Sequence, residues 1–405
     1  EGWGGGEGHW VEETQQSYLQ VVQSSVSGAL VGAVLLLLAT LLMWWNEGRA
    51  VRQRQGLQEA RKIAVTIDPE SPKDASLERK LVHFTGTLRS TENSVTDSEF
   101  AITVRDAARV KRVVEMFQFR EKVSTTSEDR VGGSRVTRKG YSYTKEWSSV
   151  PISSSGFHDH SKKNPSMPVE STIIGAKSLS VGRHLVGDVL ASQLDCSEVH
   201  PLTEVSRETE DKIFRLNLAS DVEGVFAHVM SGNWLFIGEN PHDPMVGDLR
   251  IQYKYAPLGT VSVMAQQGAF SLERFETPNG IQIGMISRGE KSVAQMCAAA
   301  EQANVFLAWV LRVVGFALTL LSVNLILGPI SEVLRFLPFL TTIMSILTSI
   351  GAFVFASVYS LLVIAMAWIF YRPILGFTLL ALGATLLAYR LGYLGGPSVV
   401  SPVDV

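Results

Sequence analysis

Residues 26–50 read VSGALVGAVLLLLATLLMWWNEGRA. The first twenty carry no charge, and at about 1.5 Å of rise per residue they cross a hydrocarbon core of about 30 Å. Trp44 and Trp45 close the run as an interfacial aromatic pair, and Asn46, Glu47 and Arg49 follow at once. A secretory signal would place basic residues ahead of the apolar run, yet residues 1–25 contain no Lys or Arg. The stretch predicts a retained membrane helix over 26–45 behind an N-terminal tail of 1–25.

Working outward, charge divides the chain. Of its 75 Lys, Arg, Asp and Glu residues, 62 lie between Ala50 and Ala300, 31 of each sign. That pattern excludes one uniform globular fold and reads as a membrane protein carrying a large water-soluble domain. The even balance also argues against a nucleic-acid partner, which needs a clustered excess of cations. Two cysteines, Cys196 and Cys297, cannot make a disulfide scaffold. Free thiols are expected, with a single bridge as the alternative.

A second span is expected over 305–328, opened by Trp309 and closed by Gly328-Pro329. Arg312 falls within its first two turns, either snorkelling to the interface or serving as a functional charge inside the bundle. From Phe336 to Phe370 there are 35 uncharged residues, too many for one span of ordinary tilt. The semi-polar first part predicts an interfacial or re-entrant helix over 331–349, followed by a third span over 350–370. Trp368, Tyr371 and Arg372 mark its interface. A fourth span is expected over 374–389, with a tail of 390–405. The fold class is therefore an α+β membrane protein: four transmembrane helices, with a mostly β extramembrane domain of 46–304 inserted between the first and second.

Within that domain, strand character appears at 80–90, 101–104, 111–123, 211–219, 233–239, 248–256, 260–267 and 280–290. The segment 111–148 reads as a long amphipathic hairpin on a barrel-like or sandwich core. Tyr141, Tyr143 and Trp147 share one face at period two. Such a face is expected to be partly buried, on the domain or on a neighbouring protein.

Chemistry is sparse. Phe157-His158-Asp159-His160 lies in a Ser-rich loop without other ligands at zinc-site spacing. Cys196 and His200 are four apart, but Pro201 argues against a helix there. No nucleophile elbow, phosphate loop or dinucleotide fingerprint is present in the sequence. No catalytic residue, cofactor or metal is assigned. The spans instead carry small residues at four-residue spacing, Ser24, Gly28 and Gly32 in the first and Ala352, Ala356 and Ser360 in the third. Such stripes pack helices closely, within one chain or between copies in a homo-oligomer.

Several segments resemble the transmembrane protein 43 (LUMA) family: NEGRA at 46–50, LVHFTGTLR at 81–89, VEMFQFRE at 114–121, YSYTKEW at 141–147, KNPS with VES over 163–171, GDLRIQYKYA at 247–256 and WIFYRP at 368–373. The resemblance covers roughly residues 26–390. It implies four spans and a large domain in the endoplasmic reticulum lumen or perinuclear space. For eukaryotic members it implies the inner nuclear membrane, self-association, and emerin and lamins as partners. For bacterial members it implies the plasma membrane. It brings no enzymatic activity. The positive-inside rule points the other way: Arg49, Arg52, Arg54, Arg61 and Lys62 follow the first span and would hold the domain in the cytoplasm. Three functions compete: a non-enzymatic membrane scaffold, a channel or transport accessory using Arg312 and Tyr359, and an enzyme whose site is assembled from residues distant in sequence.

Overall fold

A computed structural model describes residues 10–72, 74–129, 134–215, 226–334 and 338–390. Six α-helices occur among them: α1 (Tyr18–Ile63), α2 (Asp188–Ala191), α3 (Arg207–Arg215), α4 (Val293–Leu334), α5 (Pro338–Tyr371) and α6 (Pro373–Arg390). The chain divides into two compact units. The first comprises Glu1–Thr14, Gly56–Glu128 and Val136–Ala298, and the second Gln15–Gln55, Asp129–Arg135 and Ala299–Val405.

The first unit is mostly β. One sheet runs in the order Trp10–Gln16, Arg135–Ser148, Ala107–Asp129, Leu249–Pro257, Trp234–Gly238, Phe226–Met230. Two short strands, Glu198–Val199 and Thr172–Gly175, join its middle. In the second sheet, Gly259–Gln267 pairs in turn with Ser271–Glu273, His184–Val186, Ser180–Val181 and Leu81–Arg89, which pairs back on Gly259–Gln267. These pairings close a five-stranded ring, the barrel-like element expected from the strand pattern. Period-two alternation sends Val82, Phe84 and Leu88 inward with Val261, Val263 and Ala265. The open sheet buries a separate cluster around Val114, Met116, Leu235, Ile251 and Tyr253.

A buried polar knot sits against that second cluster. Arg112 donates to both oxygens of Asp97 at 3.1 and 2.8 Å, and the Tyr253 hydroxyl donates to Asp97 Oδ2 at 2.8 Å. Burial first, then the neighbouring Asp97 carboxylate, hold the Tyr253 phenol far above its ordinary range, so it remains a donor.

The candidate strand at 211–219 is instead the end of α3, as far as the described residues extend. Ser206 Oγ accepts from Thr209 N at 3.1 Å, and Glu208 and Glu210 occupy the first turn. An N-cap and acids at the positive end of the helix dipole favour helix over the strand propensity of Ile213 and Phe214.

Among the described residues, three helices, mostly in the second unit, are long and apolar enough to cross a membrane: Tyr18–Ile63, Val293–Ile330 and Ile346–Tyr371. Gly376–Thr385, within α6, is a shorter apolar segment. The boundaries differ from the expected ones in two places. Pro329 lies inside α4 rather than closing it, as apolar helices tolerate when neighbouring groups take up the freed carbonyl. No break divides 331–349 from 350–370, because α5 runs unbroken from Pro338. Proline is suited to a first helical position. Semi-polar Ser and Thr need not interrupt a helix, since their hydroxyls bond the preceding turn. Ser357 Oγ does so to Phe353 O at 2.8 Å.

Candidate functional site: a polar clasp on three helices

The packed track of α1 runs through Gly32, Ala39, Met43, Asn46, Glu47 and Ala50, at the three- and four-residue steps of one helical face. The facing track of α4 runs through Asn304, Ala308, Thr319, Ser322 and Val323. That of α5 runs through Ala352, Ala356, Ser360, Val363 and Ala367. Small residues bring the helices close. A Cβ on Gly32 would stand 2.8 Å from Ser322 O and 2.9 Å from Leu325 Cβ. One on Gly48 would stand 2.6 Å from the Tyr371 ring.

Where these tracks converge, polar groups close on one another. Glu47 is fully buried. Its Oε1 accepts from Arg312 Nε at 2.7 Å, and its Oε2 accepts from Arg312 Nη2 at 2.9 Å and from Trp368 Nε1 at 2.8 Å. One carboxylate thereby ties α1 to α4 and α5. The Arg312 guanidinium also lies 4.8 Å from the Trp309 ring and 5.8 Å from Trp368. Beside it, Asn46 Nδ2 donates to Ala308 O at 3.0 Å and Asn304 Nδ2 to Ala50 O at 2.9 Å. Arg49 Nη1 donates to Asn304 Oδ1 at 3.0 Å. Deeper in the bundle, Thr40 Oγ1 and Tyr359 Oη share a hydrogen bond of 2.8 Å.

An ion pair taken out of water repays its desolvation only when its geometry is bidentate and its remaining lone pairs are filled. Glu47 meets the first condition and goes most of the way to the second, accepting three hydrogen bonds on a carboxylate with about four lone-pair sites. Breaking it would leave one charge stranded among apolar helices.

Of the interface residues expected from sequence, Trp44, Arg49, Trp309, Arg312, Trp368, Tyr371 and Arg372 are all placed around this clasp. Trp44 packs against Phe370 and Tyr371 at 5.8 and 6.0 Å, and Arg372 lies 5.9 Å from the Trp368 ring. Trp45 stays exposed. Glu47, Asn46 and Asn304 were not singled out. The available signal was that Arg312 and Glu47 are lone opposite charges, one inside and one at the end of an apolar run, and such charges seek each other. Of the first small-residue stripe, Gly32 faces α4 of the same chain, while Ser24 is exposed. Ala352, Ala356 and Ser360 are all buried, Ser360 with its hydroxyl lacking a hydrogen-bond partner, so small size is what the position uses.

The aromatic face of the hairpin is half-buried by its own chain. Tyr141 stacks on His158 at 4.3 Å and donates to Glu12 at 2.9 Å. Tyr143 packs on Phe157, and Trp147 on Phe117 at 5.1 Å and beneath the Arg250 guanidinium at 4.6 Å. The histidine loop is thus folded back on the hairpin. Segments that carried the family resemblance hold backbone in place. Asn164 accepts from Phe119 N at 2.7 Å and donates to Phe119 O and Ile152 O at 2.9 and 3.0 Å. Ser171 Oγ accepts from Val114 N at 2.9 Å. Among the described residues no group of three or more His, Cys, Asp or Glu is arranged to hold a metal, and Cys196 and Cys297 are not joined in a disulfide. A cavity of about 510 Å3 beside α2 is lined by Arg109 and Asp188 among small and apolar residues. Arg109 spends its guanidinium on Ser192 O and Leu194 O.

The model of the family described as Transmembrane protein 43 matches residues 116–373. Transmembrane protein 43 of Mus musculus is 28% identical over 374 residues, 89% of each chain. The Homo sapiens protein is 28% identical over 373 residues, covering 89% of this chain and 88% of its own. The Drosophila melanogaster homolog is 28% identical over 369 residues, covering 88% and 92%. No solved structure is significantly similar to the chain.

Proposed function

We propose a non-enzymatic, membrane-organising role for this chain, which belongs to the transmembrane protein 43 family. The observation that carries the proposal is the clasp. A conduction path needs polar groups left free to face an ion or a substrate. Here Arg312 is held in a bidentate ion pair by Glu47, and Tyr359 and Thr40 share a hydrogen bond. These groups bind helices together. In the β unit, the cavity beside α2 brings no histidine or second carboxylate to Asp188. We further propose four spans, with α6 as the fourth, an endoplasmic reticulum or inner nuclear membrane location in a eukaryotic host, and self-association with lamina-type partners. Because Gly32 is packed against α4, self-association uses other helix faces. Light scattering of the purified chain in several mild detergents and in nanodiscs should return more than one copy per particle. A monomer throughout would remove self-association.

Two contacts run against placing residues 46–304 opposite both termini. Trp10–Gln16, ahead of α1, is paired with hairpin strand Arg135–Ser148. Arg135 is also paired with Glu332, past the apolar part of α4, at 3.2 Å. If α1 and α4 each cross once, about 30 Å of hydrocarbon separates these partners from the rest of the β unit. The hairpin carries Lys122, Arg138, Lys139 and Lys145, and each cation at the bilayer midplane would cost several kcal/mol. Accessibility reporters ahead of Trp10 and at Ser154 decide the matter. On opposite sides, they establish the crossing and exclude the strand pairing in the membrane; on one side, they remove the four-span reading.

A further inference from the structure

We propose that Arg49 and Arg372, at the rim of the clasp, bind the phosphate of an anionic phospholipid. The inference rests on α1, α4 and α5 lying in a bilayer, and on neither self-association nor the side occupied by the β unit.

Four guanidiniums surround the clasp, those of Arg49, Arg54, Arg312 and Arg372, against the carboxylates of Glu47 and Glu301. Both carboxylates are taken. Glu47 holds Arg312 with both oxygens, and Glu301 pairs with Arg54 at 2.9 Å. Arg49 is left with neutral amide oxygens, Asn304 Oδ1 at 3.0 Å and Asn46 Oδ1 at 3.4 Å, and its Nε is buried without an acceptor. Arg372 has no ion pair or side-chain hydrogen bond among the described residues, and its guanidinium stands over the Trp368 ring. It lies within electrostatic reach of Glu47, which attracts it, and of Arg54 and Arg312, which repel it. Gly48 of α1 closely approaches Tyr371 of α5, and Arg49 and Arg372 each follow that contact by one residue in sequence.

Two half-buried cations with unused donors invite an anion. Trp44, Trp309 and Trp368 at the same level mark the headgroup region, the depth at which lipid phosphates lie. A guanidinium fork matches two phosphate oxygens at once, and basic pockets between membrane helices take anionic headgroups. A zwitterionic lipid would bring its own ammonium into a cluster already in cationic excess. An anionic glycerophospholipid neutralises it.

The test uses the full chain in neutral detergent, with thermal unfolding followed during titration of dioleoylphosphatidylglycerol, dioleoylphosphatidylcholine or inorganic phosphate. The anionic lipid should raise the midpoint saturably, and the other two should not. Arg372→Gln should leave the lipid-free midpoint nearly unchanged and weaken half-saturation about fivefold, the worth of one cation at an anionic surface. Arg49→Gln should weaken it similarly while lowering the lipid-free midpoint, because it also loses Asn304. Arg105→Gln, on the exposed surface of the β unit, should titrate as the parent does. Equal responses to the two lipids, a matching response to inorganic phosphate, or an Arg372→Gln titration like the parent's would each overturn the proposal.

Discussion

Glu47→Gln removes one charge and almost no volume, which makes it the sharpest probe of the clasp. The carboxylate accepts three hydrogen bonds, from Arg312 Nε, Arg312 Nη2 and Trp368 Nε1. A glutamine offers one oxygen. If that oxygen keeps Arg312 Nη2 and Trp368, the amide NH2 must face the Arg312 Nε–H, donor against donor. Two bonds then fall from charge-assisted to neutral strength, roughly 1 kcal/mol each, and a buried donor loses its acceptor at about 1–3 kcal/mol. The total agrees with the roughly 3–5 kcal/mol expected when one partner of a buried ion pair is removed. At about 2–4 °C per kcal/mol the apparent midpoint should fall by on the order of 10 °C. Thermal unfolding of the full chain in mild detergent, read by tryptophan emission, measures this directly, because Trp309 and Trp368 flank the pair. Glu47→Leu combined with Arg312→Met leaves no stranded charge and should recover most of the loss, apart from about 1 kcal/mol for the unpaired Trp368 N–H. The reasoning fails if Glu47→Gln unfolds with the parent, or if the double variant loses the sum of the two single losses.

Gly32→Ile should lower thermal stability without changing the mass of the detergent-solubilised particle, since its Cβ would meet Ser322 O at 2.8 Å; a mass shift in light scattering would place that face between copies instead. Tyr253→Phe should cost about 1.5–3 kcal/mol by removing a donor to the buried Asp97 carboxylate, read by denaturant titration of the β unit's near-ultraviolet signal. Burial lowers the pKa of His200 below its ordinary 6.5, so its neutral form contributes stability that is complete above 6.5 and is lost as pH falls through the folded value. His200→Gln should therefore flatten the midpoint-against-pH curve below 6.5, and an unchanged slope would show that other groups set it.

Much of the architecture was readable because it depends on local pattern. The apolar run of 26–45 and the charges that follow it identify α1 and its interface. Period-two alternation likewise locates the strands that become the ring and the open sheet. The segment at 211–215 was misread because Ile213 and Phe214 have strand propensity, whereas the capping Ser206 and the acids behind it decide the local conformation. The unbroken course of α5 from Pro338 was not legible because hydroxyls that look like interruptions can bond within the helix.

Composition and periodicity in the sequence alone determined that this is a membrane protein with a mostly β unit between apolar helices. Most of the aromatic and cationic residues that gather around the clasp could also be named from it, since each stands out against neighbours a few residues away. Only the tertiary structure decided what those residues do. Glu47 and Arg312 are 265 positions apart, and Glu47 and Trp368 are 321 apart. Nothing local distinguishes a carboxylate at a helix end that faces water from one that closes a clasp. The difference arises when small residues at Gly32 and Gly48 let α4 and Tyr371 approach α1 closely enough to exclude solvent. At that separation a charge must find its partner or carry the full penalty of desolvation.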